Sequence, residues 1–274
     1  MSDIATVGTS LLYTLLIDFS IQFVFYVGSS IAKSELLYDA SGALTYIACT
    51  LAALLWRQDG ASLSELSPRQ ILVAMLLLIW TIRLGTVLFM RILRTGEDKR
   101  FEKLKTSPIL FAVPWFLQVV WIFLTGFAVW IVLGNPASSQ PDFGASDGVG
   151  LAIWLFGFLV ETIADHQKNV FKNANPTDFV RTGLWKYCRY ANYNGEITLW
   201  LGMWILCIAG FAEPWQFVSV ISPIFVACLI IFVSGIRLLE ISSQKKYGHR
   251  ADFQQYVRTT SKYFLLPPFK DKVE

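Results

Sequence analysis

The chain has 274 residues, 54% hydrophobic and only 16% charged, with a mean hydropathy of +0.50. A soluble domain carries about 25% charged residues, so this composition excludes an ordinary soluble enzyme and points to a chain bathed in lipid. The net charge of +3 is too small, and the basic residues too dispersed, for a nucleic-acid partner; two histidines and four scattered cysteines predict neither a metal site nor a disulfide framework.

Seven apolar segments are long enough to cross a hydrocarbon core, near 9–32, 36–56, 70–92, 108–133, 149–166, 194–212 and 215–240. The first follows a short acidic tail without a basic leader and reads as a retained span. Loop charge sets the orientation. The segments 33–35, 93–107 and 165–190, with the tail from 241, hold 18 of the 23 Lys and Arg, whereas the opposite loops hold only Arg57 and Arg69. The expected architecture is therefore an all-α, polytopic membrane protein of about seven transmembrane helices, with the N-terminus outside and the C-terminus cytosolic. A single domain over 1–274 is expected, with no internal repeat. Loop 134–148, rich in Gly, Pro and Ser, reads as a flexible outer connector. The basic, amphipathic tail reads either as lying along the headgroups or as folding back over a cytosolic site.

Polar groups recur inside the spans at helical spacing. Asp18 and Gln22 are four apart, Arg83 and Arg91 eight apart, and Gln118 lies in the fourth span. In the fifth, Glu161, Asp165, Lys168 and Lys172 follow the steps four, three, four and share one face. A charge at the membrane centre costs about 2.5–3.5 kcal/mol, so these groups pair or line a wet cavity. Asp18 and Arg83 read either as an ion pair tying two helices or as cavity-lining groups; Lys168 and Lys172 read either as snorkelling to the headgroups or as part of a site.

The most informative stretch runs from Arg181 to Gly202, RTGLWKYCRYANYNGEITLWLG, a basic loop continuing into an apolar helix. Arg189, Asn192, Glu196 and Trp200 recur at steps of three to four on one face. Lys168, Lys172, Arg181, Lys186, Arg189, Arg237, Lys245, Lys246 and Arg250 gather at the cytosolic mouths of the last three spans. Guanidinium and ammonium groups there suit a phosphate-rich ligand, and Trp185, Tyr187, Tyr190 and Tyr193 offer flat faces for a heteroaromatic ring. No GxGxxG follows a strand, so a Rossmann domain is excluded.

The stretch GLWKYCRYANYNGEITLWLG resembles the signature GLWxYxRHPNYxGExxxWxG of the steroid 5-alpha-reductase-like membrane family, in its bacterial-type branch. WTIRLG with GEDKRF, ETIADHQKNVF and KKYGHRADFQQYVRTTS carry the resemblance from the third span into the tail. It implies an NADPH-dependent reductase acting on a lipid-like substrate, with a cofactor pocket built mainly from 149–265. The cofactor-binding residues it implies are Asp165, Lys168, Lys172, Arg181, Trp185, Arg189, Asn192, Tyr193, Glu196, Arg237 and Tyr247. Asn192, Tyr193 and Glu196 would meet the nicotinamide end, and Asp165, Arg181 and Arg189 the adenosine and phosphate end. Glu196 and Tyr193, with Asp18 and Arg83, are the catalytic candidates; a polar group of span 1 or 3 would steady the enolate that forms from a conjugated ketone. The chain departs from the family in carrying Tyr190-Ala191 for His-Pro, in lacking Gln and Glu on span 2, and in lacking Tyr on span 3. An S-adenosylmethionine-dependent membrane methyltransferase, or a non-catalytic lipid-binding bundle, would use a similar loop. The expected setting is an integral, multi-pass protein of a bacterial inner membrane or the endoplasmic reticulum, in contact with membrane lipids.

Overall fold

In α1 (Asp3–Ala32) the polar residues face inward: Thr6, Ser10, Thr14, Asp18 and Gln22, each four apart, are buried, while Leu12, Leu16, Phe19 and Phe23 are exposed. This inverts the pattern of a soluble helix and follows from lipid replacing water outside. The computed structural model describes residues 3–56, 62–98 and 100–268; Arg57, Lys99, Lys270 and Lys272, counted above among the cations, lie outside them.

The remaining helices are α2 (Tyr38–Leu55), α3 (Pro68–Thr95), α4 (Pro108–Thr125), α5 (Phe127–Gly134), α6 (Ala145–Ala174), α7 (Ala191–Ile208), α8 (Ile221–Cys228), α9 (Ile236–Tyr247) and α10 (Ala251–Thr259). Among the described residues there is no strand, only one isolated bridge between Cys188 and Ser261. Six helical segments are long and apolar enough to cross a membrane: Ala5–Ala32, Tyr38–Leu55, Pro68–Thr95, Pro108–Thr125, Ala145–Ala174 and Pro214–Tyr247. The seventh expected span is present as α7, but Asn192, Asn194 and Glu196 in its first turns leave it too polar to count with them. The expected span at 108–133 is two helices, broken between Thr125 and Phe127. The last span is also interrupted, by a π turn at Leu229–Val233 in which Ser234 N donates to Leu229 O at 2.9 Å. Such wide turns interrupt the regular helical ladder and recur near functional sites.

The described chain forms two compact units, Met1–Asp147 with Leu206–Ser222, and Gly148–Ile205 with Pro223–Glu274. In the first unit, Gln22 Nε2 donates to Thr45 Oγ1 at 2.8 Å, Ser41 Oγ to Gln22 Oε1 at 3.3 Å, and Gln118 Nε2 to the Tyr38 carbonyl at 3.0 Å. The predicted in-span polar residues of α1 and α4 thus meet on α2. Next to them Tyr46 packs edge-on against Trp80 and Trp121, at 5.2 and 5.4 Å between ring centroids. The ion pair considered between Asp18 and Arg83 does not form: both Asp18 oxygens are buried and accept no hydrogen bond among the described residues.

Loop 134–148 is pinned, contrary to its Gly- and Ser-rich reading. Arg69 reaches it from the first turn of α3, with Nε 2.7 Å from Asp147 Oδ1 and Nη2 2.8 Å from Oδ2, and Nη1 donating to the Pro141 carbonyl. Gln70 Nε2 donates to the Asn135 carbonyl, and Asn135 Nδ2 to the Gly210 carbonyl. Composition marks a turn-rich segment but is blind to carbonyls that find donors elsewhere in the chain.

Candidate functional site

The second unit is built on a close antiparallel pair, α6 against α7. A Cβ placed on Gly157 would lie 2.4 Å from Leu199 N, one on Gly195 2.5 Å from Glu161 N, and one on Gly202 2.4 Å from Trp154 N. Only glycine lets the two backbones approach so far, as in small-residue helix interfaces of membrane proteins. This brings the polar face of α6 against the first turns of α7: Asn192 Nδ2 donates to Asp165 Oδ1 at 3.0 Å. One turn on, Trp200 Nε1 donates to Glu196 Oε1 at 2.9 Å, the i, i+4 relation read from the sequence.

The predicted α6 face continues outward and its lysines turn inward, not to the headgroups. Lys168 Nζ stands 5.4 Å from the Trp185 ring centroid. Lys172 Nζ donates to the Asp178 carbonyl and to the Tyr247 hydroxyl, which itself donates to the same carbonyl at 3.2 Å. Trp185 is a core residue, with its indole N–H on the Ala164 carbonyl at 3.0 Å and Val180, Cys188 and Ala191 around it, so it does not offer the open face expected of it. Ala191, where the family has Pro, is fully buried in that cluster.

Arg181 and Arg250 share acids. Arg181 Nη1 is 2.8 Å from Asp252 Oδ2, and Arg250 bonds both Asp178 and Asp252 at 2.8 Å. Both guanidinium carbons stand 5.0 Å from the Phe179 ring centroid, and Tyr247 and Phe253 pack on that ring. The acids of this network, Asp178 and Asp252, were not singled out in the sequence; the signal was their position among basic residues in PTDFVR and GHRADF. Hydrogen bonds from Arg250 and then Arg181 hold the Asp252 carboxyl below its ordinary range. At Asp178, desolvation acts upward but is outweighed by the Phe179 N–H and Arg250, so it too is depressed. A depressed carboxyl contributes stability above its unfolded pKa of about 3.9 and loses it as pH falls through the folded value. Protection against hydrogen exchange across 247–260, taken relative to the intrinsic rate at each pH, is therefore expected to hold from pH 7 down to about 5 and to fall only below about 4. A loss of protection already near pH 6 would mean that other groups hold this segment.

The tail folds back over the loop. Arg189 N donates to Ser261 O at 2.9 Å, Asn194 Nδ2 to the Tyr263 carbonyl at 2.6 Å, and Leu266 N to Tyr187 O at 3.3 Å. The tail thus folds back onto the chain, as the second of its two readings has it, over the 187–194 segment. An open groove of about 560 Å³ is lined by Arg189, Tyr190, Glu240, Ser243, Gln244, Lys245, Phe253 and neighbouring aliphatic residues. Arg189 Nη1 bonds Glu240 Oε1 at 3.1 Å, and Lys262 Nζ bonds Oε2 of the same carboxylate. Tyr193 stacks near Tyr190, with centroids 6.4 Å apart. Of the predicted cofactor-binding residues, the groove itself takes Arg189; Asp165, Asn192 and Glu196 cluster at the α6–α7 contact, Lys172 and Tyr247 meet at Asp178, and Arg237 is exposed on α9. Arg181 does not line the groove and is neutralised by Asp252. Asp18 and Arg83 belong to the first unit.

A family model described as "Protein of unknown function (DUF1295)" matches residues 25–260. An uncharacterized protein of Schizosaccharomyces pombe is 25% identical over 168 residues, 51% of this chain and 48% of the relative, so the chain spans about half of that protein. The 3-oxo-5-alpha-steroid 4-dehydrogenase 1 of Mus musculus is 26% identical over 215 residues, 78% of this chain and 72% of the relative. No solved structure matches. The steroid-reductase likeness read from the 181–202 stretch thus extends to most of the chain; these fungal and animal relatives give no support to a bacterial-type branch. With its six apolar helices, the chain is an integral, multi-pass membrane protein.

Proposed function

The chain belongs to the family described as "Protein of unknown function (DUF1295)", and from that membership, its steroid-reductase likeness and the groove of the second unit we propose that it is an NADPH-dependent membrane reductase. Its substrate is a conjugated ketone in a steroid-like or isoprenoid lipid, reduced at the C=C bond, and its groove opens to the cytosol. NADPH, when bound, supplies the hydride.

The observation that carries this reading is Arg189. It lines the groove beside Lys245, and its buried Nε has no acceptor among the described residues, so a guanidinium donor remains to be matched by a ligand oxygen. The donor set fits a nucleotide: cations for the phosphates at Arg189 and Lys245, and the amide and carboxylates of Asn192, Asp165 and Glu196 for a carboxamide. In this reading Tyr193 closes the same end, and Arg237 adds positive charge at the mouth.

The test is titration of NADPH and NADH into protein purified in detergent. NADPH is expected to bind more tightly, and Arg189→Ala to weaken it by about tenfold or more, since a hydrogen bond to a charged group contributes roughly 1.5–3 kcal/mol. Arg181→Ala should weaken it less, because Asp252 already compensates that charge. Equal affinity for the two nucleotides, or binding of S-adenosylmethionine in their place, would overturn the assignment.

A further inference from the structure

One carboxylate on the groove wall is held by two cations from different parts of the chain. Glu240, on α9, receives Arg189 from the loop before α7 and Lys262 from the tail. The three side chains are 32%, 14% and 29% exposed, so the cluster is half sheltered but open to solutes. Lys262 does not depend on Glu240 for its position. Its segment is fixed by backbone bonds on either side: Arg189 N to Ser261 O, and Asn194 Nδ2 to the Tyr263 carbonyl. Arg189 is fixed through its own N–H in the first of these bonds, and its Nε remains a buried donor with no acceptor among the described residues.

We propose that Arg189 and Lys262 form an anion subsite on which the Glu240 carboxylate is a resident, displaceable anion, and that a phosphate group of a nucleotide takes its place. The proposal rests on the nucleotide reading of the groove and adds Lys262 as a binding residue and Glu240 as an internal competitor. The chemistry is one of like for like. A carboxylate and a phosphate both offer paired oxygens to guanidinium and ammonium donors, but the phosphate carries a further oxygen and more charge, and Arg189 Nε is free to meet it. Two anions cannot share the subsite closely, so Glu240 turns away into the solvent that already reaches it. Because the backbone holds Lys262, the subsite keeps both cations when the carboxylate leaves.

The experiment is calorimetric titration of adenosine 2′,5′-bisphosphate, which carries phosphates without nicotinamide, into wild-type and variant protein in detergent. Glu240→Gln keeps size and removes charge, and is expected to tighten binding by about fivefold; Lys262→Gln is expected to weaken it by about tenfold, and Lys262→Arg to restore it. A merely structural bridge would lower the melting temperature of both variants and leave affinity unmoved, which overturns the proposal. Weaker binding by Glu240→Gln also overturns it, because the carboxylate would then be recognising the ligand itself. NADPH titrated into wild type in parallel separates the two readings: if it binds while Glu240→Gln gains nothing, the subsite fails and the reductase stands. If neither nucleotide binds wild type, both fall.

Discussion

Asp147→Ala is expected to destabilise the protein by about 3–5 kcal/mol, the usual cost of stranding one partner of a buried ion pair. Arg69 is 1% exposed and Asp147 is fully buried, and the pair is bidentate at 2.7 and 2.8 Å. With the carboxylate gone, the guanidinium keeps the carbonyls of Pro141 and Asp142 and the Phe143 ring at 5.5 Å, none of which carries a compensating charge. Asp147 also accepts from Gly144 N, so the start of α6 loosens with it. Replacing both partners, Arg69→Leu with Asp147→Leu, should cost less than the single change, because no buried charge is left behind. Thermal unfolding of purified protein, followed by tryptophan fluorescence, checks the ordering. A loss below about 1 kcal/mol for Asp147→Ala would place the pair among surface bridges and contradict its burial.

The second large effect falls on the glycine contact beneath the groove. Gly157→Val or Gly195→Val is expected to cost more than the roughly 1–3 kcal/mol typical of overpacking, because the clash is with backbone that cannot rotate away. The added carbon would sit 2.4 Å from Leu199 N in one case and 2.5 Å from Glu161 N in the other. Separating α6 from α7 would break the Asn192–Asp165 bond, so nucleotide binding should fall with stability. Gly28→Ala is the control: nothing lies within 4 Å of a Cβ there, and alanine in a helix gains up to about 1 kcal/mol over glycine. If Gly195→Val bound nucleotide as wild type does, the α6–α7 contact would not be what presents Asn192.

Several relations were legible because they are short in sequence. The α1 stripe through Asp18 and Gln22, the α6 face from Glu161 to Lys172, and the Glu196–Trp200 step follow from helical periodicity alone. The same arithmetic failed where a residue's partner lies far away in the chain. Trp185 looks like an exposed aromatic beside basic residues, yet its indole finds the Ala164 carbonyl and becomes core. Loop 134–148 has the composition of a flexible connector, and Arg69, more than 60 residues earlier, fixes it. The start of α7 falls within an expected span, yet its amides and carboxylate keep the helix below the apolarity of the other six.

By itself, the sequence determined the class of solvent and the helical faces, since lipid outside and water at the ends select hydrophobic length and polar spacing residue by residue. Only the tertiary structure decided which cations already have a carboxylate beside them: Asp252 takes Arg181, while Glu240 sits between Arg189 and Lys262, whose places the backbone sets. Charge counted along a chain cannot show this, because Coulomb attraction depends on distance in space and on the solvent between the charges.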